Sequence, residues 1–252
     1  MEPPRPGDRP PHLPRPPFTP DEELLASQAP VILTELSDPE RVAAIGREMG
    51  TAFEALAHVT AGISIFGSAR LPESDPVYAA ARETARLLGA AGFTIITGGG
   101  PGVMEAANRG AQEAGAESIG LNIRLPHEQA PNPYQGLSLT FDHFFARKVC
   151  FVRYAIGFVV FPGGFGTMDE LFEALNLIIT DEVEHFPVIL AGDGYWAGLL
   201  TWLREQVVER GMLRPAELDL LQVWEDPRDI VAVATHCARQ QGRLAGGQRA
   251  GG

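Results

Sequence analysis

The sequence predicts an α/β fold: one parallel, doubly wound sheet with helices packed on both of its faces. Short apolar runs of strand length alternate with segments in which apolar residues recur at helical spacing. Each run is continuously apolar rather than alternating, which is typical of a strand buried on both faces. Three runs lead into glycine-rich segments, at residues 67–68, 98–102 and 163–167. Ligands of such sheets bind beyond the carboxyl ends of the strands, so these segments are predicted to meet at one edge.

Apolar runs and the residues that break them place the elements in order. Asp38 can cap a first helix, Pro39 fits its first turn, and apolar residues then recur at helical spacing as far as His58. Gly92 closes a second helix. The predicted strands are residues 62–68, 93–97, 118–123, 137–141, 158–161, 187–190 and 220–224. The predicted helices are residues 40–58, 76–91, 103–114, 144–155, 167–179, 195–210 and 227–240.

The two ends of the chain differ in composition from the rest. Residues 1–30 hold ten of the 21 prolines, so they are predicted to form a disordered or polyproline-II-like arm. Residues 242–252 are rich in glycine and are predicted to form a flexible tail. A single Rossmann-like domain is therefore expected over residues 31–241.

Composition excludes several kinds of function. The formal net charge is −12 at pH 7, which argues against partners such as nucleic acids or a membrane surface. Cys150 and Cys237 lie in different predicted helices, and the six histidines lack metal-ligand spacing, so neither a disulfide framework nor a metal site is predicted. The chain has no apolar run of about 18 residues and no signal-peptide pattern, so a soluble cytoplasmic protein is expected.

The segment from Phe158 to Glu170 carries the main functional signal. It reads as a buried strand, a turn with three glycines, and a helix that begins at about Thr167. The unpaired N–H groups and the positive dipole end of such a helix attract an anion, most often a phosphate. The segment is not a P-loop, which needs Gly-Lys-Ser/Thr. It is not the dinucleotide fingerprint either, because Asp169 stands where the third glycine belongs.

Two interpretations of Glu170 are open from the pattern alone. Thr167 and Glu170 have the spacing of a capping box, and acidic residues are favoured in a first helical turn. Alternatively, a carboxylate one turn beyond the loop could face a bound sugar. Glu173 lies one turn further along the same helix face and is the second choice for that role.

Two other segments also allow two interpretations. Arg147 and Lys148 are either a solvated helix face or a cationic pair, set among apolar residues, that reaches the sheet edge. Residues 98–102 are either a tight strand-to-helix turn or the second wall of a shared ligand site, and isolated glycine motifs are weak evidence.

Residues 162–170, preceded by Arg147 and Lys148, resemble the signature of the Lonely Guy family of cytokinin riboside 5′-monophosphate phosphoribohydrolases. That family has often been mislabelled lysine decarboxylase. Residues 97–108 are similar to its longer bacterial branch, which shades into AMP nucleosidases and molybdenum-cofactor carrier-like proteins. The resemblance implies hydrolysis of the N-glycosidic bond of a nucleoside 5′-monophosphate carrying adenine or an N6-modified adenine. No cofactor is predicted, and the resemblance further implies that the protein is a homodimer or a larger homo-oligomer.

The resemblance also implies the site residues. By position, Arg147 and Glu170 match the catalytic pair of the family. Asn176 stands where plant members tend to have a threonine, and residues 102–105 also differ from the plant pattern, so no cytokinin-specific pocket is inferred. The resemblance assigns substrate-binding roles to Lys148, Glu128, Gly164, Phe165, Gly166 and Thr167. The glycine-rich strand ends and the loop motif add Ser68, Gly99, Gly100, Gly163, Met168 and Asp169 to the expected substrate-binding residues.

The implied chemistry suits these residues. Cleavage passes through an oxocarbenium-like ribose, whose charge Glu170 would stabilise while Arg147 aids the departing base. A pyridoxal-phosphate decarboxylase would need a Schiff-base lysine, and the chain contains only Lys148. The rival interpretation is a nucleotide or molybdenum-cofactor carrier or sensor without hydrolysis. The presence of both Arg147 and Glu170 favours the enzyme, because a carrier would need neither role.

Overall fold

The computed structural model describes residues 19–25, 36–125, 130–180, 182–183 and 186–244 of the 252-residue chain. These residues form one seven-stranded sheet in which every neighbouring pair is parallel. The strands are β1 (Gly62–Phe66), β2 (Thr94–Thr97), β3 (Ser118–Ile123), β4 (Leu137–Phe141), β5 (Ala155–Val160), β6 (Val188–Ala191) and β7 (Leu221–Trp224). Their order across the sheet is β4-β3-β2-β1-β5-β6-β7, which confirms the predicted parallel sheet.

Helices cover both faces of this sheet. In the described ranges they are α1 (Pro20–Leu25), α2 (Asp38–Leu56), α3 (Pro76–Ala90), α4 (Val103–Glu113), α5 (Phe144–Arg153), α6 (Phe165–Ile179), α7 (Asp193–Trp202), α8 (Pro215–Leu218) and α9 (Pro227–Gln240). A π-helical stretch, Leu203–Val208, continues α7. One apolar core lies between the sheet and α2, α5, α6 and α7, and a second lies between the sheet and α3, α4 and α9. None of these helices combines the length and apolar composition needed to cross a membrane.

The direction in which successive strands are added to the sheet reverses at one position. The chain runs outward from β1 through β2 and β3 to β4, then returns to place β5 on the other side of β1. The boundary between β1 and β5 is therefore the topological switch point, where ligands of doubly wound folds bind. Phe66 pairs with Val160, so both strands end at the same level and the loops after them are adjacent.

Helix α6 begins two residues earlier than predicted, and this changes the interpretation of Glu170. Gly164 is the N-cap in an extended conformation, so Thr167 lies inside the first turn. No side chain caps the helix. Glycine at an N-cap costs only a little stability compared with a capping side chain. Because glycine has no side chain that marks a helix start, the start of α6 could not be recognised in the glycine-rich sequence. The capping-box interpretation of Thr167 and Glu170 is therefore wrong.

Three other helix starts differ from the prediction, those of α1, α2 and α7. Helix α7 begins at Asp193 rather than at residue 195, and helix α8 was not predicted. Ser37 rather than Asp38 is the N-cap of α2, and the Glu40 carboxylate accepts hydrogen bonds from the N–H and the hydroxyl of Ser37 at 2.8 and 2.5 Å. Helix α1 lies within the segment predicted to be a disordered arm. It has a local cause, since the Thr19 hydroxyl accepts from the N–H of Glu22 at 3.0 Å and a proline occupies the first turn. Residues 1–18 and 26–30 of that predicted arm lie outside the described residues.

Candidate active site

The loops that follow β1, β2 and β5 meet at the switch point, as the sequence predicted. The backbone of Ser68 joins them, because its N–H donates to the carbonyl oxygen of Pro162 at 2.9 Å. Its carbonyl oxygen accepts from the N–H of Val103, the first residue of α4, at 3.0 Å. Ser68 therefore lies between the other two loops, at the centre of the candidate site.

Close packing explains two of the glycines in these loops. At Gly163 a Cβ atom would lie 2.1 Å from the hydroxyl of Thr167 and 3.0 Å from the backbone nitrogen of Ser68. At Gly102, whose φ is +67°, it would lie 2.4 Å from the carbonyl oxygen of Ser68. Any larger residue at either position would force the loops apart.

The outer side of the loop after β5 is open. A Cβ atom at Gly164 or Gly166 would meet no atom within 4 Å, and Phe165 is 95% exposed. The Gly164 carbonyl oxygen accepts from the N–H groups of Thr167 and Met168, both at 3.0 Å. The N–H groups of Phe165 and Gly166 precede these in the first turn, where helical N–H groups lack an intrahelical acceptor. With the positive end of the α6 dipole they form a position suited to an anion.

Glu170 is buried one turn further along α6. Only 5% of the residue is exposed, and its Oε2 is buried without a hydrogen-bond partner. Burial raises the pKa of Glu170 to about 7, although the positive charges of Lys148 and Arg147 oppose the shift. A buried polar atom without a partner destabilises a fold, so its presence here points to chemistry rather than to structure.

Arg147, on α5, is the cationic counterpart of Glu170. Its guanidinium packs over the rings of Phe144 and Phe151 at 5.0 and 5.5 Å from their centroids, and its Nε is buried without a hydrogen-bond partner. A Cβ atom at Gly98 would lie 3.8 Å from Nη1 of Arg147, so the guanidinium reaches the loop after β2. Burial lowers the pKa of Arg147, and the negative charge of Glu170 opposes that change.

Lys148 connects α5 to α6. Its Nζ lies 3.0 Å from Oδ2 of Asp169 and 3.0 Å from Oε2 of Glu173, and its side chain is only 16% exposed. Burial alone would lower the pKa of Lys148, but the hydrogen bonds to Glu173 and Asp169 outweigh it and raise the pKa above its usual value. Glu173 thus has an ion-pair partner at 3.0 Å, whereas no ion pair among the described residues includes Glu170. The geometry favours Glu170 over the second choice.

A set of amides that the sequence interpretation missed fixes the loop after β2. The Gly99 carbonyl oxygen accepts from the N–H of Asn132 at 2.9 Å, from its side-chain amide at 3.0 Å, and from Gln135 at 2.8 Å. The Gly99 N–H donates to the Thr97 hydroxyl at 3.0 Å, and the Gly100 carbonyl oxygen accepts from Asn132 at 3.0 Å. The backbone N–H and carbonyl oxygen of Gly99 are therefore both hydrogen-bonded within the protein. These bonds make the loop a rigid side of the candidate site.

Tyr195, on α7, was also missed. Its hydroxyl donates to the carbonyl oxygen of Gly163 at 2.7 Å, although the residue is 49% exposed. Helix α7 follows β6, the neighbour of β5, so a fourth strand end contributes to the site. Glu128, expected to contact substrate, lies outside the described residues. Within the described ranges, no group of three or more His, Cys, Asp or Glu residues is arranged to hold a metal ion.

Comparison with known proteins shows the family to which this chain belongs. Residues 104–233, more than half of the chain, match the family described as possible lysine decarboxylase. The chain belongs to this family. A pyrimidine/purine nucleotide 5′-monophosphate nucleosidase of Escherichia coli (strain K12) is 31% identical over 153 residues, a match that covers 57% of this chain and 33% of that protein. The cytokinin riboside 5′-monophosphate phosphoribohydrolase of Mycobacterium tuberculosis is 29% identical over 165 residues, covering 63% and 87%.

These relatives confirm the resemblance to the Lonely Guy phosphoribohydrolases. The chain spans about a third of the length of the Escherichia coli relative and most of the mycobacterial one. Solved structures share the fold of this family member. A molybdenum cofactor carrier protein from Chlamydomonas reinhardtii is similar with a TM-score of 0.54 at 21% identity, covering 71% of this chain and 98% of that one. A molybdenum cofactor binding protein from Rippkaea orientalis has a TM-score of 0.51 at 20% identity, covering 70% and 96%.

The words lysine decarboxylase in the family description do not match the residues of this family member. A decarboxylase that uses pyridoxal phosphate needs a neutral lysine amine to form a Schiff base. Lys148 is the only lysine of the chain, and two carboxylates hold it as a cation with a raised pKa. The site does not fit that cofactor.

Proposed function

We propose that this chain hydrolyses the N-glycosidic bond of a purine nucleoside 5′-monophosphate and releases the free base and ribose 5-phosphate. The observation that carries the proposal is the buried carboxyl group of Glu170, which has an unpaired oxygen and a raised pKa. Its negative charge interacts with the partly buried Arg147, and it lies one turn from a helix N-terminus suited to a phosphate. The names of the bacterial relatives support the same reaction class.

The phosphate of the substrate binds at the start of α6. The N–H groups of Phe165 and Gly166 and the helix dipole attract the dianion, and the open space at Gly164 and Gly166 leaves room for it. The phosphate is remote from the bond that breaks, so its binding energy serves to align the ribose with the catalytic groups.

Glu170 acts on the ribose and on water. The bond breaks with positive charge developing on the ribose, and a carboxylate in low-dielectric surroundings stabilises that charge more strongly than one in water. A pKa of about 7 keeps much of Glu170 ionised near neutral pH and makes it basic enough to take a proton from the attacking water. The water oxygen adds to C1′ of the ribose as the bond from C1′ to the base nitrogen breaks, and the proton that Glu170 takes from this water passes through solvent to the departing base.

Arg147 acts on the leaving group. Its guanidinium offers several N–H donors, cannot itself lose a proton, and reaches the loop after β2. Donation to a ring nitrogen of the base stabilises the negative charge that builds up there as the bond breaks. Adenine or an N6-modified adenine is the proposed base, following the resemblance and the relative named for cytokinin ribosides.

Product analysis tests the proposal. Purified protein is incubated with AMP, with N6-isopentenyl-AMP and with CMP, and free base and ribose 5-phosphate are followed by chromatography. Release of base from the purine nucleotides supports the proposal, and adenosine serves as the control that lacks the phosphate. Binding of nucleotide by folded protein without any release of base would overturn it and favour a carrier or sensor.

The rate is expected to rise with pH through about 7. The reacting form of Glu170 is the carboxylate, and burial holds its pKa at about 7, so kcat/KM should increase as this group ionises and level off above it. A substrate phosphate titrates near pH 6, roughly one unit lower, and its inflection persists in Glu170→Gln. The measurement is kcat/KM from pH 5 to 9. Activity that falls above pH 7 would identify the protonated acid as the active form.

Removing the Tyr195 hydroxyl is expected to weaken substrate binding. Tyr195→Phe keeps the ring and deletes the hydrogen bond to the Gly163 carbonyl oxygen, which holds the phosphate loop. One neutral hydrogen bond is worth about 1 kcal/mol, so KM should rise about fivefold with kcat within about twofold. Steady-state kinetics measure both constants. An unchanged KM would show that this hydroxyl does not position the loop.

We also propose that this chain forms the homo-oligomer that the resemblance implies. Phe144, Phe145 and Val149 on α5 and Phe172 on α6 are each about two-fifths exposed. Exposed apolar side chains on adjacent helices suit an interface between copies of this chain.

A further inference from the structure

Two carboxylates from other elements hold the start of α5. The Glu48 side chain on α2 accepts from the N–H of Asp142 at 2.6 Å and from the N–H of His143 at 3.2 Å. The Asp21 side chain on α1 accepts from the N–H of Phe144 at 2.9 Å. Three successive N–H groups at this helix N-terminus are therefore bound by side chains far away in sequence. Negative charge here is also favoured by the helix dipole.

The contact between Glu48 and α5 is buried and includes a histidine. The second carboxylate oxygen of Glu48 lies 2.6 Å from Nδ1 of His143, which is the N-cap residue of α5. The side chains of Glu48 and His143 are only 13% and 8% exposed. Because water has little access, a rearranged Glu48 would leave these donors without partners, which costs much more than breaking an exposed contact. The helix start is therefore fixed in one place.

The position of Arg147 depends on that helix start. Its backbone N–H donates to the carbonyl oxygen of His143 at 3.3 Å, one turn earlier. Its side chain packs on Phe144 and Phe151 and its Nε has no hydrogen-bond partner. None of the ion pairs among the described residues includes Arg147. Placement of the guanidinium therefore follows from the placement of α5.

We propose that Glu48 is a positioning residue for the reaction, which acts by fixing the His143 turn and through it the guanidinium of Arg147. The inference rests on the proposed function, in which Arg147 acts on the leaving base. Among the described residues, the hydrogen bonds of Glu48 go to Asp142 and His143 and not to the loops after β1, β2 and β5, so its effect passes through α5.

A double-mutant cycle tests this route. Glu48→Gln keeps the shape of the side chain but removes its charge, and Arg147→Met removes the group that it is proposed to position. We expect Glu48→Gln to lower kcat/KM about tenfold in the unaltered background but less than about twofold in the Arg147→Met background. An equal loss in both backgrounds, or no loss in the single variant, would overturn the proposal. Glu54→Gln, an exposed change on the same helix, is the matched control.

Two further measurements keep the test decisive. Thermal unfolding establishes that each variant is folded, and Glu48→Asp, which keeps the charge on a shorter side chain, replaces Glu48→Gln in the cycle if the latter does not fold. The same double-mutant cycle is repeated in the Glu170→Gln background, with the dissociation constant of AMP as the measured quantity. Absence of hydrolysis by the unaltered protein would refute the proposed function, whereas additive effects on AMP binding would refute the positioning role alone.

Discussion

Glu170→Gln is expected to lower kcat about 1,000-fold and to leave the dissociation constant for the nucleotide within about threefold. Glutamine fills the same space but carries no charge to stabilise the oxocarbenium-like ribose and takes no proton from water. The phosphate loop is separate from this group, so binding is retained. Single-turnover kinetics and calorimetric titration measure the two quantities.

The pH dependence of the stability of Glu170→Gln provides a control for folding. The pKa of Glu170 is raised from 4.5 to about 7 in the folded protein, so between these values the folded state binds more protons than the unfolded state. Stability therefore falls as pH rises through this window, and glutamine escapes the loss. The unfolding midpoint of Glu170→Gln should exceed that of the unaltered protein at pH 8 and not at pH 4. Loss of nucleotide binding by folded protein would instead give Glu170 a binding role.

Glu173→Gln separates the two acidic residues of this helix face. Glu173 is paired with Lys148, so its removal is expected to leave turnover largely intact. If turnover collapsed in Glu173→Gln and survived in Glu170→Gln, the assignment of the two carboxylates would have to be reversed.

Arg147→Met is expected to lower kcat/KM about 100-fold without destabilising the fold. The methionine keeps the apolar contacts with Phe144 and Phe151, and it removes a partly buried cation whose buried Nε has no hydrogen-bond partner. Steady-state kinetics and thermal unfolding give the two readouts.

Arg147→Lys provides the matched comparison. A lysine keeps the charge but lacks the planar set of donors, so it should restore only a small part of the activity. Full activity in the lysine variant would show that a positive charge alone is sufficient. Full activity in the methionine variant would remove Arg147 from the reaction.

Much of the fold follows from short-range signals in the sequence. Strands β3 and β4 and helix α9 begin and end where the sequence predicts, because apolar runs there are bounded by polar or breaking residues. The start of α6 was misplaced because a glycine N-cap leaves no side-chain signature. Strand β5 begins at Ala155 rather than Phe158, since α5 ends sooner than its apolar pattern suggests.

The candidate site, like the fold, was predicted from the sequence only in part. The sequence singled out Arg147 and Glu170 from a local motif, but their burial depends on how α5 and α6 pack, which periodicity cannot report. Asn132 and Glu48 were invisible, because their partners lie 33 residues away in one case and 94 to 95 residues away in the other. Long-range hydrogen bonds of this kind leave no pattern in a single sequence.

The pairing of Lys148 with Asp169 and Glu173 has a practical consequence for chemical labelling. Lys148 is the only side-chain amine of the chain; its ion pairs keep it protonated and its burial limits the access of reagents, so it is unreactive. Acylating reagents that target lysine therefore have a single side-chain site to modify, and it is protected while α5 and α6 remain joined. The rate at which such a reagent labels Lys148 reports directly on how often these two helices separate.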